Sequence, residues 1–299
     1  MSAIVPHPFT NEFQTIRLYR LDEEVFDVLP LTGVNVVSLA INLPGPAACA
    51  RLAEFGAAVT KVEPPGGDPL ARAASGWYAE LAGRQTVLTL DLKAAADRAT
   101  LDELLTGADL LITSMRPTAL QRLGLAAPHE QFPRLSLIEI VGHDGDLADE
   151  PGHDLNYQAA QGTLTPPHMP RVPLADLLGA ERAVSTALAA LQARDRSGGG
   201  AVFRVALADA AAWAGGAVRH GLMGDNAILG GAFPGYGIYE CADGHVALGA
   251  LESHFYVRTL EIFGADGTHE SLRTAFSGKT IAQLEAIAAE ADIPLNGVK

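Results

Sequence analysis

Apolar and polar positions alternate between two periods along the first two thirds of the chain. Residues 34–39 (VNVVSL) form a short β-branched run that reads as a buried strand. The sequence NLPGP breaks it. Residues 47–57 then carry small and apolar residues at helical spacing, up to a stop near Gly56. Residues 57–63 (AAVTKVE) are a second strand, stopped by Pro64 and Pro65. Residues 66–83 read as a long polar connection. Further strands are predicted at 86–90, 109–113, 135–141 and 202–207, with helices at 93–105, from Asp176 to Ser197, and from Asp209 to about Arg219. Strand–helix–strand units of this kind imply parallel strands joined by right-handed crossovers. The predicted fold class is α/β: a Rossmann-like parallel sheet in a large domain, with a smaller α+β domain behind it.

The pattern changes near Gly230 and Gly231. Residues 234–239 and 245–249, separated by a Cys-Ala-Asp-Gly turn, read as a β-hairpin. A last helix is predicted at 281–291. The domain organisation expected is an N-terminal extension (1–29), a large α/β domain (30–225) and a small α+β domain (226–299).

Composition excludes several function classes. The chain has 299 residues, 48% of them hydrophobic and 19% charged, which is a globular composition. A net charge of −14 argues against a general nucleic-acid or membrane-surface binder. No apolar run approaches the length of a membrane span, and the N-terminus carries no basic-then-apolar secretory pattern. Cys49 and Cys241 lack a CxxC partner or a zinc-spaced cluster, so they read as reduced, buried thiols of a cytoplasmic protein.

Residues 150–179 hold the chemistry: EPGHDLNYQAAQGTLTPPHMPRVPLADLLG. His153 and Asp176 are two proton carriers in Gly/Pro-rich surroundings. Facing one carbon, such a pair removes a proton from one side and returns it to the other. The plainer alternative is a surface histidine and a helix N-cap aspartate. If Asp176 opens its helix, free backbone N–H groups around it are expected to lower its pKa and to hold an enolate oxygen. The pairs His143-Asp144 and His153-Asp154 do not have metal-site spacing, so no metal is assigned. Gly45 sits in a Pro-Gly-Pro turn, not a GxGxxG turn. It serves either close helix packing or close approach of backbone to a ligand. Arg116 and Arg122, with Arg84 behind them, are the guanidinium groups suited to phosphate. Ser114 and Arg116 lie on a loop at a strand C-terminus, where open α/β sheets bind ligands.

The run GHDLNY at 152–157, followed by PLAD at 173–176, resembles the α-methylacyl-CoA racemase branch of the family III CoA-transferases (CaiB/BaiF). NLPGP at 42–46, LTLDLK at 88–93, Arg116-Pro117, LQRLGL at 120–125 and FPGYGIYECADGHVALGALESHFY at 233–256 follow the same family order. The resemblance covers residues 31–299. The transferase branch has Tyr where this chain has His153, and both branches keep the aspartate matching Asp176. The chain departs from the family at Pro64, at Arg84-Gln85 and at His143-Asp144.

The resemblance implies an isomerase acting by 1,1-proton transfer at the α-carbon of a 2-methylacyl-CoA. His153 and Asp176 would be the two acid/base groups, with Glu252 beside the histidine. Asn42, Leu43 and Pro44 would lie along the pantetheine arm of coenzyme A, and Arg84, Ser114, Arg116 and Arg122 along the rest of the site. Asn156 and Tyr157 are expected to position His153. Coenzyme A enters as part of the acyl-CoA substrate, and no other cofactor is expected. Two alternatives stay open: a CoA-transferase with Asp176 as nucleophile, and a catalytically weak CoA-binding paralogue or subunit. The family forms an interlocked homodimer through a C-terminal segment returning to the large domain, and that segment is expected to be absent after Lys299.

Overall fold

The computed structural model describes residues 29–299. Apart from Leu29, the expected N-terminal extension lies outside the described residues. Six strands form one parallel sheet: β1 (Asn35–Ser38), β2 (Ala58–Glu63), β3 (Thr86–Thr89), β4 (Leu110–Thr113), β5 (Ser136–Val141) and β6 (Val202–Ala206). Their order is β3-β2-β1-β4-β5-β6. The order reverses between β1 and β4, so the chain segments leaving these two strands diverge and open a crevice at their carboxyl ends.

Alternation along the strands feeds two cores. Val36, Leu110, Ile112, Ile138 and Ile140 point to one face and Val37, Leu111 and Leu137 to the other, all buried. The first face is covered by α1 (Pro44–Glu54) and, later in the chain, by the 24-residue helix Leu174–Ser197. Ala47, Ala48 and Leu52 meet Ala183, Ala187 and Leu191 there, small side chains that allow close helix contact. The second face is covered by α4 (Ala95–Thr106) and α5 (Pro117–Arg122), through Leu101, Leu105 and Leu120.

The segment read as a polar connection differs. It holds two helices, α2 (Pro69–Ala73) and α3 (Ser75–Ala82). Asp68 caps α2, its carboxylate accepting the N–H of Leu70 at 2.9 Å, with Pro69 in the first turn. Trp77, Tyr78 and Leu81 of α3 pack half-buried on the first core. A second difference follows β5, where α6 (Asp154–Ala160) begins immediately after His153. The long helix that follows is α7 (Leu174–Ser197), closed by Gly198 in the left-handed conformation at φ 81°. Arg194 in its last turn pairs with Asp109 at 2.5 Å, tying α7 to the start of β4. After β6 the predicted single helix is two, α8 (Leu207–Ala214) and α9 (Gly216–Arg219).

The compact units divide between Trp213 and Ala214, earlier than the 225/226 boundary read from the sequence. The second unit contains an antiparallel sheet of β7 (Tyr236–Cys241), β8 (Gly244–Gly249) and β9 (Leu295–Gly297). The hairpin β7–β8 is the predicted one. Helices α10 (Ser253–Phe263), α11 (His269–Ser277) and α12 (Ile281–Glu290) complete its own core, centred on Val246, Leu272, Phe276 and Leu284. Among the described residues no helix is long and apolar enough to cross a membrane.

Candidate active site

The crevice at the sheet reversal is a real cavity of about 270 Å³. Its walls come from the loop after β1 (Ile41, Asn42, Pro44), the loop after β4 (Ser114, Met115, Arg116), the end of β5 (Ile140, Val141, Gly142) and the segment from Ala148 to His153, with Tyr157, Asp176 and Leu207. His153 and Asp176, 23 positions apart, thus line one space. A second cavity of about 520 Å³ adjoins it across Ile41, Asn42, Ser114 and Met115, which line both. Its far wall includes Val62, Pro64, Pro65, Leu90, Leu92 and Lys93.

Asp176 is in the first turn of α7 but does not cap it; Pro173 holds that position. Nor does Asp176 take up the free N–H groups of the turn. Asp154 does: its Oδ1 accepts from Ala175 at 2.7 Å and from Asp176 at 3.2 Å. The other oxygen of Asp154 accepts from the Gln158 side chain at 2.6 Å. Asp176 is therefore left half-buried beside a second carboxylate. Its pKa is pushed up to about 6, first by burial and then by the Asp154 charge, with His153 opposing. This reverses the lowered pKa expected from the helix start. It also occupies two of the N–H groups expected to hold an enolate oxygen.

His153 is exposed at the mouth and stands at the N-cap of α6. Its backbone N–H donates to Asn156 Oδ1 at 3.1 Å, and Asn156 N–H returns to the His153 carbonyl at 2.8 Å, which fixes the turn that presents the imidazole. Tyr157, in the same helix, is 3% exposed, with its ring edge-on to His143 at 5.3 Å.

The loop after β1 is built as firmly. Asn42 adopts φ 70°, a left-handed conformation that asparagine tolerates better than most residues. Its N–H donates to Asp68 at 2.9 Å. Asp68 is wholly buried and pairs with Lys61 at 2.8 Å, and Lys61 also reaches Glu63 at 2.9 Å and the Ala40 carbonyl at 3.3 Å. On the other side, Ser114 Oγ accepts the N–H of Ile41 at 3.2 Å and donates to its carbonyl at 3.3 Å. A Cβ at Gly45 would lie 2.1 Å from the Cβ of Ala40, so the missing side chain is what lets α1 pack against the end of β1.

Asn42, Pro44, Ser114 and Arg116 thus meet His153 and Asp176 around the first cavity. Leu43 is buried in the first core and lines neither cavity. Arg84 and Arg122 are exposed and line neither. Glu252 is an exposed N-cap residue of α10, in the second unit. Two residues that sequence reasoning left out of the site are Asp154, which sets the environment of Asp176, and Lys93 on the second cavity. Asp154 had a visible signal, an acidic residue just after a candidate proton carrier and opposite a helix start.

Comparison with known proteins agrees with the architecture. The model of CoA-transferase family III matches residues 31–299. Human alpha-methylacyl-CoA racemase is 31% identical over 250 residues, 76% of this chain and 63% of that protein. Succinyl-CoA--D-citramalate CoA-transferase of Chloroflexus aurantiacus is 32% identical over 197 residues, 60% of this chain and 49% of that protein. This chain therefore spans less than two thirds of the length of either relative. A CAIB/BAIF family protein from Brucella suis superimposes with a TM-score of 0.76 at 22% identity, covering 91% of this chain and 84% of that one, which shows the same fold. With the family match running from the first strand to the last residue, the chain belongs to CoA-transferase family III.

Proposed function

We propose that the protein is an acyl-CoA racemase or epimerase that moves a proton at the α-carbon of a 2-methylacyl-CoA. One observation carries the proposal: His153 and Asp176 line the same small cavity, with Asp176 poised to exchange a proton near pH 6. A thioester acidifies its α-proton by delocalising the carbanion into an enolate. One of the two groups removes that proton as a base, and the other delivers a proton to the opposite face as an acid. For the other enantiomer the roles exchange. The coenzyme A arm would run over Asn42 and Ser114 into the second cavity, with Arg116 and Lys93 as its cationic neighbours. With this activity go the homodimer that the family resemblance implies and the cytoplasmic location read from the two unpaired cysteines.

A second activity is favoured by the comparable identity to a CoA-transferase. There Asp176 attacks the thioester carbonyl, releasing CoA thiolate and forming an acyl-aspartyl anhydride. Incubating the protein with a 2-methylacyl-CoA in heavy water, with no second acid, separates the two. α-Deuterium uptake supports proton transfer. Absence of uptake, with CoA exchange on adding a free carboxylic acid, rejects it in favour of the transferase.

A further inference from the structure

Tyr157 carries a polar group that nothing in the described chain satisfies. The residue is 3% exposed, yet its hydroxyl makes no hydrogen bond with the described residues, whereas Tyr78, Tyr239 and Tyr256 each bond through theirs. Among the described residues the buried side-chain atoms without a partner are Gln85 Oε1, His129 Nδ1 and Arg194 Nε; the Tyr157 oxygen is not one of them, because it opens to the cavity, where a bound ligand can pair with it. Tyr157 lines the cavity that also holds His153 and Asp176.

The surroundings are shaped to this oxygen. A Cβ on Gly142 would lie 2.3 Å from the Tyr157 Oη, and one on Gly152 2.6 Å from it. Both glycines line the same cavity. The phenol is thus threaded between two backbone segments that lack side chains at the two points where a side chain would strike it. Meanwhile Asp154 already occupies the N–H groups of Ala175 and Asp176. Burial first, and the Asp176 charge second, raise the phenol pKa, so the hydroxyl keeps its proton and remains a donor at neutral pH.

We propose that the Tyr157 hydroxyl donates a hydrogen bond to the carbonyl oxygen of the bound acyl thioester. The inference rests on the acyl-CoA reading of this cavity. As His153 or Asp176 takes the α-proton, the C–H electron pair becomes the double bond between the α-carbon and the carbonyl carbon. The carbonyl π pair moves onto oxygen, where Tyr157 meets the growing charge without giving up its proton. Reprotonation of the α-carbon by the other group returns the electrons. A donor aimed at an oxygen that gains charge strengthens its bond in the transition state more than in the ground state.

The test is Tyr157→Phe, which keeps the ring and removes the oxygen. Two probes are used: a 2-methylacyl-CoA, and the matching S-alkyl-CoA thioether that lacks the carbonyl. Removing one such donor costs roughly 100-fold in turnover. Deuterium uptake by the Phe variant is expected to fall by about that factor with KM little changed and the melting temperature retained. A Phe variant exchanging within twofold of wild type overturns the assignment. If the wild-type protein shows no uptake, proton transfer fails as its activity, and binding decides for Tyr157. A preference for thioester over thioether that the Phe variant loses supports the contact, and a preference the variant retains, or one absent from wild type, overturns it.

Discussion

The Asp154 carboxylate accepts the backbone N–H of Asp176 at 3.2 Å and that of Ala175 at 2.7 Å. One acid therefore stabilises the start of α7 while the other, three places into the helix, is left to titrate. The negative charge that satisfies the helix end also raises the pKa of its neighbour.

Replacing Asp154 by Asn keeps an oxygen for the helix but removes the charge. The pKa of Asp176 is then expected to fall below 6. Because burial is the larger cause of its rise, it stays above the ordinary 3.8. The shift is read from the acid limb of kcat/KM for the direction in which Asp176 is the base.

With Asp176 at about 6, the two directions of a racemase titrate oppositely. The direction using its carboxylate loses kcat/KM as pH falls below about 6. The direction using its acid form loses kcat/KM as pH rises above about 6. Asp176→Asn removes both limbs and lowers turnover by roughly 10²–10⁴-fold. Stability follows the same proton. The fold binds it more tightly than the unfolded chain does, so the contribution of Asp176 is fully present below 3.8 and is lost as pH rises through about 6. The Asn variant is expected to gain melting temperature relative to wild type as pH rises through that window.

Lys61 is 1% exposed between Asp68 and Glu63. Lys61→Met leaves two buried carboxylates without their cation and is expected to cost about 3–5 kcal/mol in urea unfolding. Because Asp68 also holds the Asn42 N–H, the remaining folded protein should bind acyl-CoA more weakly.

Gly45→Ala places a methyl group 2.1 Å from that of Ala40. Overpacking of this kind costs about 1–3 kcal/mol. Ser114→Ala is milder. Losing its bonds to Ile41 is expected to cost about 1 kcal/mol and to raise KM several-fold with kcat little changed.

Much of the sheet was legible because β1, β4 and β5 are short apolar runs bounded by turn residues, and the position of Ser114 and Arg116 at a strand end followed from that. The helices in 66–83 were not, since α3 buries only part of Trp77, Tyr78 and Leu81 and has no clear apolar face. The Asp68-Pro69 pair was a start signal hidden in a Gly/Pro-rich stretch. β9 escaped because three residues after a proline carry no periodicity, and their partner, β8, lies some fifty positions earlier. The pairing of His153 with Asp176 was visible as residue types. The direction of the Asp176 pKa was not, because it depends on which of two nearby acids captures the free N–H groups of α7, a matter of geometry between two helices.

The most direct measurement is α-deuterium uptake from each enantiomer of a 2-methylacyl-CoA separately, comparing wild type with His153→Ala and Asp176→Asn. If the two groups serve opposite faces of one carbon, the wild type exchanges both enantiomers, and each variant loses racemisation while its residual exchange favours opposite enantiomers. Uptake unaffected by either substitution, or lost identically from both enantiomers in both variants, would contradict a two-base proton transfer at this site.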